Sequence, residues 1–182
     1  ASALAGDGGW ELMAQAGLAA WQRLLRHWPQ ALHVGVVVGS GNNGGDGLVL
    51  ARHAQLAGRR VSVLTQPGRP PGTPLARRAA SDFKSVGGAL AEFDGTLPDA
   101  DVWVDALFGL GFDRAPEGVA KALIDALNAQ GSPVLALDVP SGVDAERGSV
   151  PGVAVHAALT LQFIVPHRGL YTGSALEHVG EH

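Results

Sequence analysis

Residues 34–47 read Val-Gly-Val-Val-Val-Gly-Ser-Gly-Asn-Asn-Gly-Gly-Asp-Gly. Val36, Val37 and Val38 are an unbroken β-branched run, the pattern of a strand buried on both faces. The run empties into Gly39, Gly41, Gly44, Gly45 and Gly47, with Asn42, Asn43 and Asp46 among them. The glycines are expected to take positive φ and to let a ligand approach the main chain, and Asp46 is expected to cap a helix continuing through Leu48 to Leu56. Strand, glycine-rich turn and helix N-terminus together make an anion site, because unpaired N–H groups and the positive end of the helix dipole converge there. A tight βα turn needs glycine whether or not it binds anything. The side-chain amides and carboxylate of Asn42, Asn43 and Asp46 are more polarity than a bare turn requires, so a phosphate-bearing ligand is the expectation.

Of two familiar nucleotide loops, one is absent and the other is disfavoured. No Gly-Lys-Ser/Thr follows, so this is not a Walker loop. A standard dinucleotide fold would carry an acid at the end of its second strand, whereas the strand read at Arg59 to Thr65 ends in Thr65 and Gln66. An ordinary NAD-dependent dehydrogenase is disfavoured.

Working outward, a helical pattern runs from Trp10 to His27, with Trp28-Pro29 as its stop. Trp10 and Trp21 read as packing residues rather than partner contacts. Strand, helix and strand from Val34 to Thr65 form a right-handed βαβ unit. A proline-rich loop follows, then a helix over residues 75–88 whose Arg77, Arg78, Asp82 and Lys84 read as a solvated face, and a short strand over 89–93. Asp101 to Val104 is the next strand, running into Asp105 and the glycine-containing Gly109-Leu110-Gly111. After a helix over Glu117 to Gln130, the strand Pro133 to Leu137 ends in Asp138, then Val-Pro-Ser141-Gly. A fifth strand falls within Val153 to Val165, and the tail reads as loop with a strand near Leu176. Three parallel-type strands ending in Asn43/Asp46, Asp105 and Asp138 form a constellation, since ligands in open α/β sheets bind outside the carboxyl ends of the strands.

Composition narrows the classes further. The chain has 182 residues, 46% hydrophobic, a length that suits one α/β core and is short for two. A formal net charge of −4 with 13 scattered Lys and Arg leaves no basic footprint for nucleic acid. The absence of cysteine excludes a disulfide framework and a thiolate zinc site, and the histidines are too dispersed to suggest zinc. No apolar run approaches the ~20 residues of a membrane span. A cytoplasmic protein without a membrane or nucleic-acid partner is expected.

The blocks Leu-Met-Ala-Gln-Ala-Gly (12–17), the Asn-Asn-Gly-Gly-Asp-Gly turn, Val-Asp-Ala-Leu-Phe-Gly-Leu-Gly (104–111), Leu-Asp-Val-Pro-Ser-Gly (137–142), and Ala-Leu-Thr-Leu-Gln-Phe (158–163) followed by Arg-Gly-Leu (168–170) resemble the NAD(P)HX epimerase family, the YjeF N-terminal domain. The resemblance covers nearly the whole chain. It implies a Rossmann-like three-layer αβα sandwich with a mostly parallel sheet, usually a homodimer. The implied reaction interconverts the R and S epimers of hydrated NADH or NADPH, so that an ADP- or ATP-dependent dehydratase, separate or fused, can restore the cofactor. It also implies substrate contacts at Asn42, Asn43, Gly44, Gly45 and Asp46, a second binding loop of Gly109, Leu110, Gly111, Phe112, Asp113, Arg114 and Ala115, and a substrate-binding, catalytic carboxylate in Asp138. A potassium ion would be held by Asn43, Asp105 and Ser141; oxygen ligands of this kind suit a hard cation.

His167 stands where the family often has lysine, which weakens a cationic contact or makes it pH-dependent. The chain is shorter at both ends than the family domain, so a fragment of a bifunctional repair protein is one expectation. The chemistry follows from the substrate: the hydroxyl-bearing ring carbon is a hemiaminal, from which nitrogen can expel hydroxide to leave a planar cation open to water from either face. A positioned carboxyl serving both directions contributes typically ~10²–10⁴-fold. The reading from a different class is a non-catalytic nucleotide-binding scaffold of the same fold.

Overall fold

The computed structural model describes residues 7–110, 114–163 and 166–181. Helix α1 (Asp7–His27) precedes β1 (His33–Val38), α2 (Asn42–Leu56), β2 (Arg60–Thr65), α3 (Pro74–Ser85), β3 (Leu90–Glu92), β4 (Val102–Ala106), α4 (Gly118–Ala129), β5 (Val134–Leu137) and β6 (Leu159–Leu161). The strands form one parallel sheet in the order β3-β2-β1-β4-β5-β6. This is the doubly wound arrangement, in which the chain leaves β1 toward one edge and returns to start the other half at β4, so that the switch point lies between β1 and β4.

Strand alternation sorts the side chains onto two faces. Val34, Val36, Val38, Val102, Val104, Leu135 and Leu137 pack with Met13, Trp21, Leu24, Leu48, Leu50 and Phe83 of α1, α2 and α3. On the other face Val37, Trp103 and Val134 meet Leu123, Ile124 and Leu127 of α4. The three-layer sandwich is therefore as expected. Trp21 is core, and Trp10 stacks under the Arg78 guanidinium at 4.0 Å, so Arg78 is not part of a purely solvated face. A third apolar cluster of Val139, Val143, Ala145, Ala154, Leu170, Ala175 and Val179 lies beyond the end of β5 and anchors the loop that carries Asp138 and Ser141.

Three local expectations are corrected. The strand read near Leu176 is a 3₁₀ helix, Gly173–Glu177, following a similar turn at Arg168–Tyr171. Helix α2 begins at Asn42, so Asp46 is one turn inside it and caps nothing; its N-cap is Gly41, which offers no side-chain cap. Nor does any glycine of that turn take positive φ. Gly41 has open space around it, but at Gly39, Gly44, Gly45 and Gly47 neighbouring groups approach too closely for a Cβ. One added at Gly44 would lie 2.1 Å from the Gly39 carbonyl oxygen, and one at Gly45 would lie 2.5 Å from the Met13 methyl.

Candidate functional site

Strands β1, β4 and β5 end side by side. The ladder continues past Val38, where the Gly39 N–H donates to the Ala106 carbonyl at 2.9 Å. Asp105 sits in register between Val37 and Ala136 with no exposed surface. Its carboxylate accepts three hydrogen bonds: from the Ser141 N–H and the Ser141 hydroxyl, both at 2.7 Å, and from the Leu107 N–H at 3.2 Å. Burial nevertheless pushes its carboxyl up to about 6, the three donors offsetting only part of the desolvation.

Asn43 closes the network from the other side of the switch point. Its side-chain N–H donates to the Phe108 carbonyl at 2.8 Å, while the Phe108 N–H donates to the Ser141 hydroxyl oxygen at 2.9 Å. Because a carbonyl can only accept, the first bond fixes which way the amide faces. The Asn43 Oδ1 is then buried with no partner. An orphaned amide oxygen near a buried carboxylate is what a hard cation would satisfy, since it would relieve both costs together. Asn43, Asp105 and Ser141, expected to act together, are joined through the backbone of Phe108. That residue was not singled out from the sequence, because it acts through main-chain atoms that any side chain would supply.

Asp138 follows directly after β5. Its φ of 67° makes it the non-glycine residue with a left-handed backbone among those described, and such strain gathers at functional sites. Burial raises its carboxyl above the ordinary range, while the Leu110 N–H and the nearby His167 pull it back part of the way. Gly109 lies between this carboxylate and Asn43: a Cβ there would be 3.1 Å from the Asn43 Cβ and 3.5 Å from the Asp138 Oδ2. The absence of a side chain at Gly109 keeps a gap open between the two. Asp46, farther along α2, carries a carboxyl pushed up to about 7 by burial first and by the charge of Asp138 second.

The N-terminus of α2 completes the cleft. With Gly41 as N-cap, no side chain of that residue caps the first N–H groups of the helix. Asn42 is exposed there and accepts a hydrogen bond from the Thr73 hydroxyl at 2.7 Å, while the Gly72 N–H donates to the Ser40 carbonyl at 2.8 Å. The β2–α3 loop thus stands against the glycine turn. Thr73 carried a sequence signal, Thr-Pro opening a helix, but that signal speaks for the N-cap of α3 that it also is. Gly44 and Gly45 are buried, and they shape the turn against Gly39 and Met13.

Of the expected second loop, Gly109 and Leu110 reach the cleft, whereas Gly111, Phe112 and Asp113 lie outside the described residues. Arg114 is exposed, and Ala115 lies close to Gly152, outside the Asn43–Asp138 network. At the end of β2, Thr65 and Gln66 are buried, so no acid occupies the place a dehydrogenase would use for ribose.

A family model described as YjeF-related protein N-terminus matches residues 9–169. The chain belongs to this family. Among the curated relatives, an NAD(P)H-hydrate epimerase of Limosilactobacillus fermentum is 40% identical over 93% of this chain and 81% of its own length. The bifunctional NAD(P)H-hydrate repair enzyme Nnr of Coxiella burnetii is 44% identical, covering 94% of this chain and 36% of the relative, and its Escherichia coli counterpart is 39% identical over 94% and 34%. The chain thus spans about a third of the length of the bifunctional relatives. The crystal structure of yeast ynu0 superimposes with a TM-score of 0.77 at 26% identity, over 93% of this chain and 74% of that one. No helix among the described residues is long and apolar enough to cross a membrane.

Proposed function

We propose that this chain is an isomerase that interconverts the R and S epimers of hydrated NADH and NADPH. The observation that carries the reading is the juxtaposition of Asp138, in its left-handed conformation, with Asn43 across Gly109 at the carboxyl ends of β1, β4 and β5. The stand-alone epimerase relative supports the substrate, because this chain aligns with most of it. In this reading the first N–H groups of α2 bind the pyrophosphate, and Asn42 and Asn43 position the nearer ribose and phosphate oxygens. Asp138 sits at the reacting carbon. It handles the proton that leaves with, or is released by, the exchanging hydroxyl, while the ring nitrogen supplies and recovers the electron pair. The strained backbone aims its carboxylate, and the Leu110 N–H keeps one lone pair occupied.

A potassium ion bound by Asn43, Asp105 and Ser141 is part of the proposal. The orphaned Asn43 Oδ1 and the fully buried Asp105 fit it. When bound, it would supply positive charge that balances Asp105 and the substrate phosphates. The epimer formed is the form that a stereospecific dehydratase would consume, in keeping with the bifunctional architecture of the longer relatives.

The reading is tested by supplying one resolved epimer of hydrated NADH and following the second by chiral separation. Accelerated appearance of the second epimer supports it. Unchanged epimer ratios, or hydride transfer with ordinary NAD, would refute it.

A further inference from the structure

Asn42 can turn either of two faces to a ligand. Its amide carries an acceptor and a pair of donors, and a phosphate oxygen that the nitrogen would bind is repelled by the oxygen. The contacts of the β2–α3 loop decide between them. The Thr73 hydroxyl donates to the Asn42 Oδ1 at 2.7 Å, while its own oxygen accepts from the Ala76 N–H at 3.1 Å. The hydroxyl has one proton, and giving it to Asn42 turns the amide oxygen toward Thr73. Both partners are held by backbone. The Arg77 N–H donates to the Thr73 carbonyl at 2.9 Å, and the preceding Gly72 is tied through its N–H to the Ser40 carbonyl at 2.8 Å. The Arg77 side chain folds back to donate to the Gly72 carbonyl, and Asn42 is the first residue of α2. Two short side chains on fixed backbones give up little rotamer freedom in meeting, which lets the bond hold at an exposed position. No hydrogen bond from the described residues engages the Asn42 Nδ2, so its two hydrogens are what this residue offers at the mouth of the cleft.

We propose that Thr73 is a positioning residue of the substrate site, which locks the Asn42 amide with its nitrogen toward the ligand and so makes this position a donor for the anionic phosphate oxygens of the hydrated cofactor. This rests on the epimerase reading above and adds to it a residue from outside the glycine turn. Without the hydroxyl, the amide is free to rotate by half a turn. A rotated amide sets its oxygen against the phosphate, and binding loses a charge-assisted hydrogen bond. Thr73 acts on the phosphate end of the substrate and not on the reacting carbon, so its effect falls on KM and spares kcat. Thr73 is also the N-cap of α3. A substitution there therefore removes two interactions, of which only the one that runs through Asn42 disappears when Asn42 is itself replaced.

The test measures kcat and KM for epimerisation of one resolved epimer of hydrated NADH by the parent, Thr73→Ser, Thr73→Val and Thr73→Asp, each alone and combined with Asn42→Ala. Nitrogen-15 NMR of the Asn42 side-chain amide accompanies the kinetics. Thr73→Val should raise KM by ~10-fold with kcat within about threefold of the parent. Thr73→Ser keeps the proton donor and should restore KM to within about threefold. Thr73→Asp keeps an oxygen cap for α3, which guards against poor folding of the valine variant, but has no proton to give and should raise KM by ~10-fold or more. With Asn42→Ala in place, Thr73→Val should change KM by less than about twofold, and the rise caused by Thr73→Asp should shrink by about threefold or more. In the NMR spectra Thr73→Val should move the Asn42 amide pair and Thr73→Ser should not. An active parent whose Thr73→Val effect is the same with and without the Asn42 side chain, or falls on kcat alone, overturns the proposal and leaves the epimerase reading intact. An Asn42 amide that Thr73→Val does not move overturns it also. A parent that leaves the epimers at their uncatalysed rate overturns both.

Discussion

Asp138 combines burial, a raised carboxyl and a backbone angle of 67° that most side chains resist. Asparagine adopts this conformation as readily as aspartate, and glycine does so without a Cβ penalty. Asp138→Asn should therefore fold normally and bind the hydrated cofactor with little change while kcat falls ~10²-fold or more. Asp138→Gly should lose the same activity yet match or exceed the parent's stability, by up to ~1 kcal/mol, because it removes both a strained Cβ and a buried charge. Calorimetry and single-turnover kinetics on the two variants check this. An Asp138→Gly protein that was inactive and also strongly destabilised would show that the residue holds the fold rather than aims a carboxylate. Much at this scale was legible in the sequence. Asp105 and Asp138 stood out as acids at the ends of buried strands and Ser141 came from the family resemblance; the structure joins Ser141 to Asp105. The Phe108 backbone and the Leu110 N–H were not legible, because main-chain donors and acceptors are present at every position and only geometry selects among them.

Helix α2 shows where a correct motif can carry a wrong cause. Gly39, Gly44, Gly45 and Gly47 border the candidate cleft, but close contact is what requires them: with the Gly39 carbonyl 2.1 Å from a Cβ at Gly44, the helix could not start where it does if residue 44 had a side chain. Sequence reports that glycine is needed. It does not report whether a positive φ, a ligand or a neighbouring carbonyl demands it. Gly44→Val should accordingly destabilise the protein itself by ~1–3 kcal/mol or more, visible in denaturant unfolding without any ligand. Gly109→Ala is the contrast. Its Cβ would wedge between Asn43 and Asp138 at 3.1–3.5 Å, which should leave stability within about 1 kcal/mol but lower kcat/KM by ~10-fold or more through misplacement of the two groups. Equal stability losses in both variants would contradict this division.

For the whole molecule, β-branched runs alternating with helical patterns were enough to read a mostly parallel sheet, while the strand order and its switch point came only with the structure. The tail was misread near Leu176 because small residues and a few apolar positions fit a strand and a 3₁₀ turn alike. Stability should depend on pH through the buried acids. Asp46 holds its proton to about pH 7 in the folded chain, whereas the unfolded chain releases it near pH 4. Between those values the folded form binds the extra proton, so stability falls as pH rises through the window and stays low above it. Asp138 and Asp105 act in the same direction. Asp46→Asn should flatten the slope of melting temperature against pH between 4 and 7, and an unchanged slope would contradict the shift. Potassium should raise the melting temperature relative to tetramethylammonium at equal ionic strength, and Asp105→Asn should remove the difference.

The central claim is that the cleft exchanges the hydroxyl of a hydrated nicotinamide ring. Its most direct test incubates the purified chain with one resolved epimer of hydrated NADH in oxygen-18 water and follows both epimers by chiral separation with mass detection. The account predicts that the second epimer appears far faster than in the enzyme-free control, and that each newly formed molecule carries oxygen-18 in its hydroxyl. Epimers interconverting at the control rate, or an accelerated product that retains its original oxygen, would contradict it.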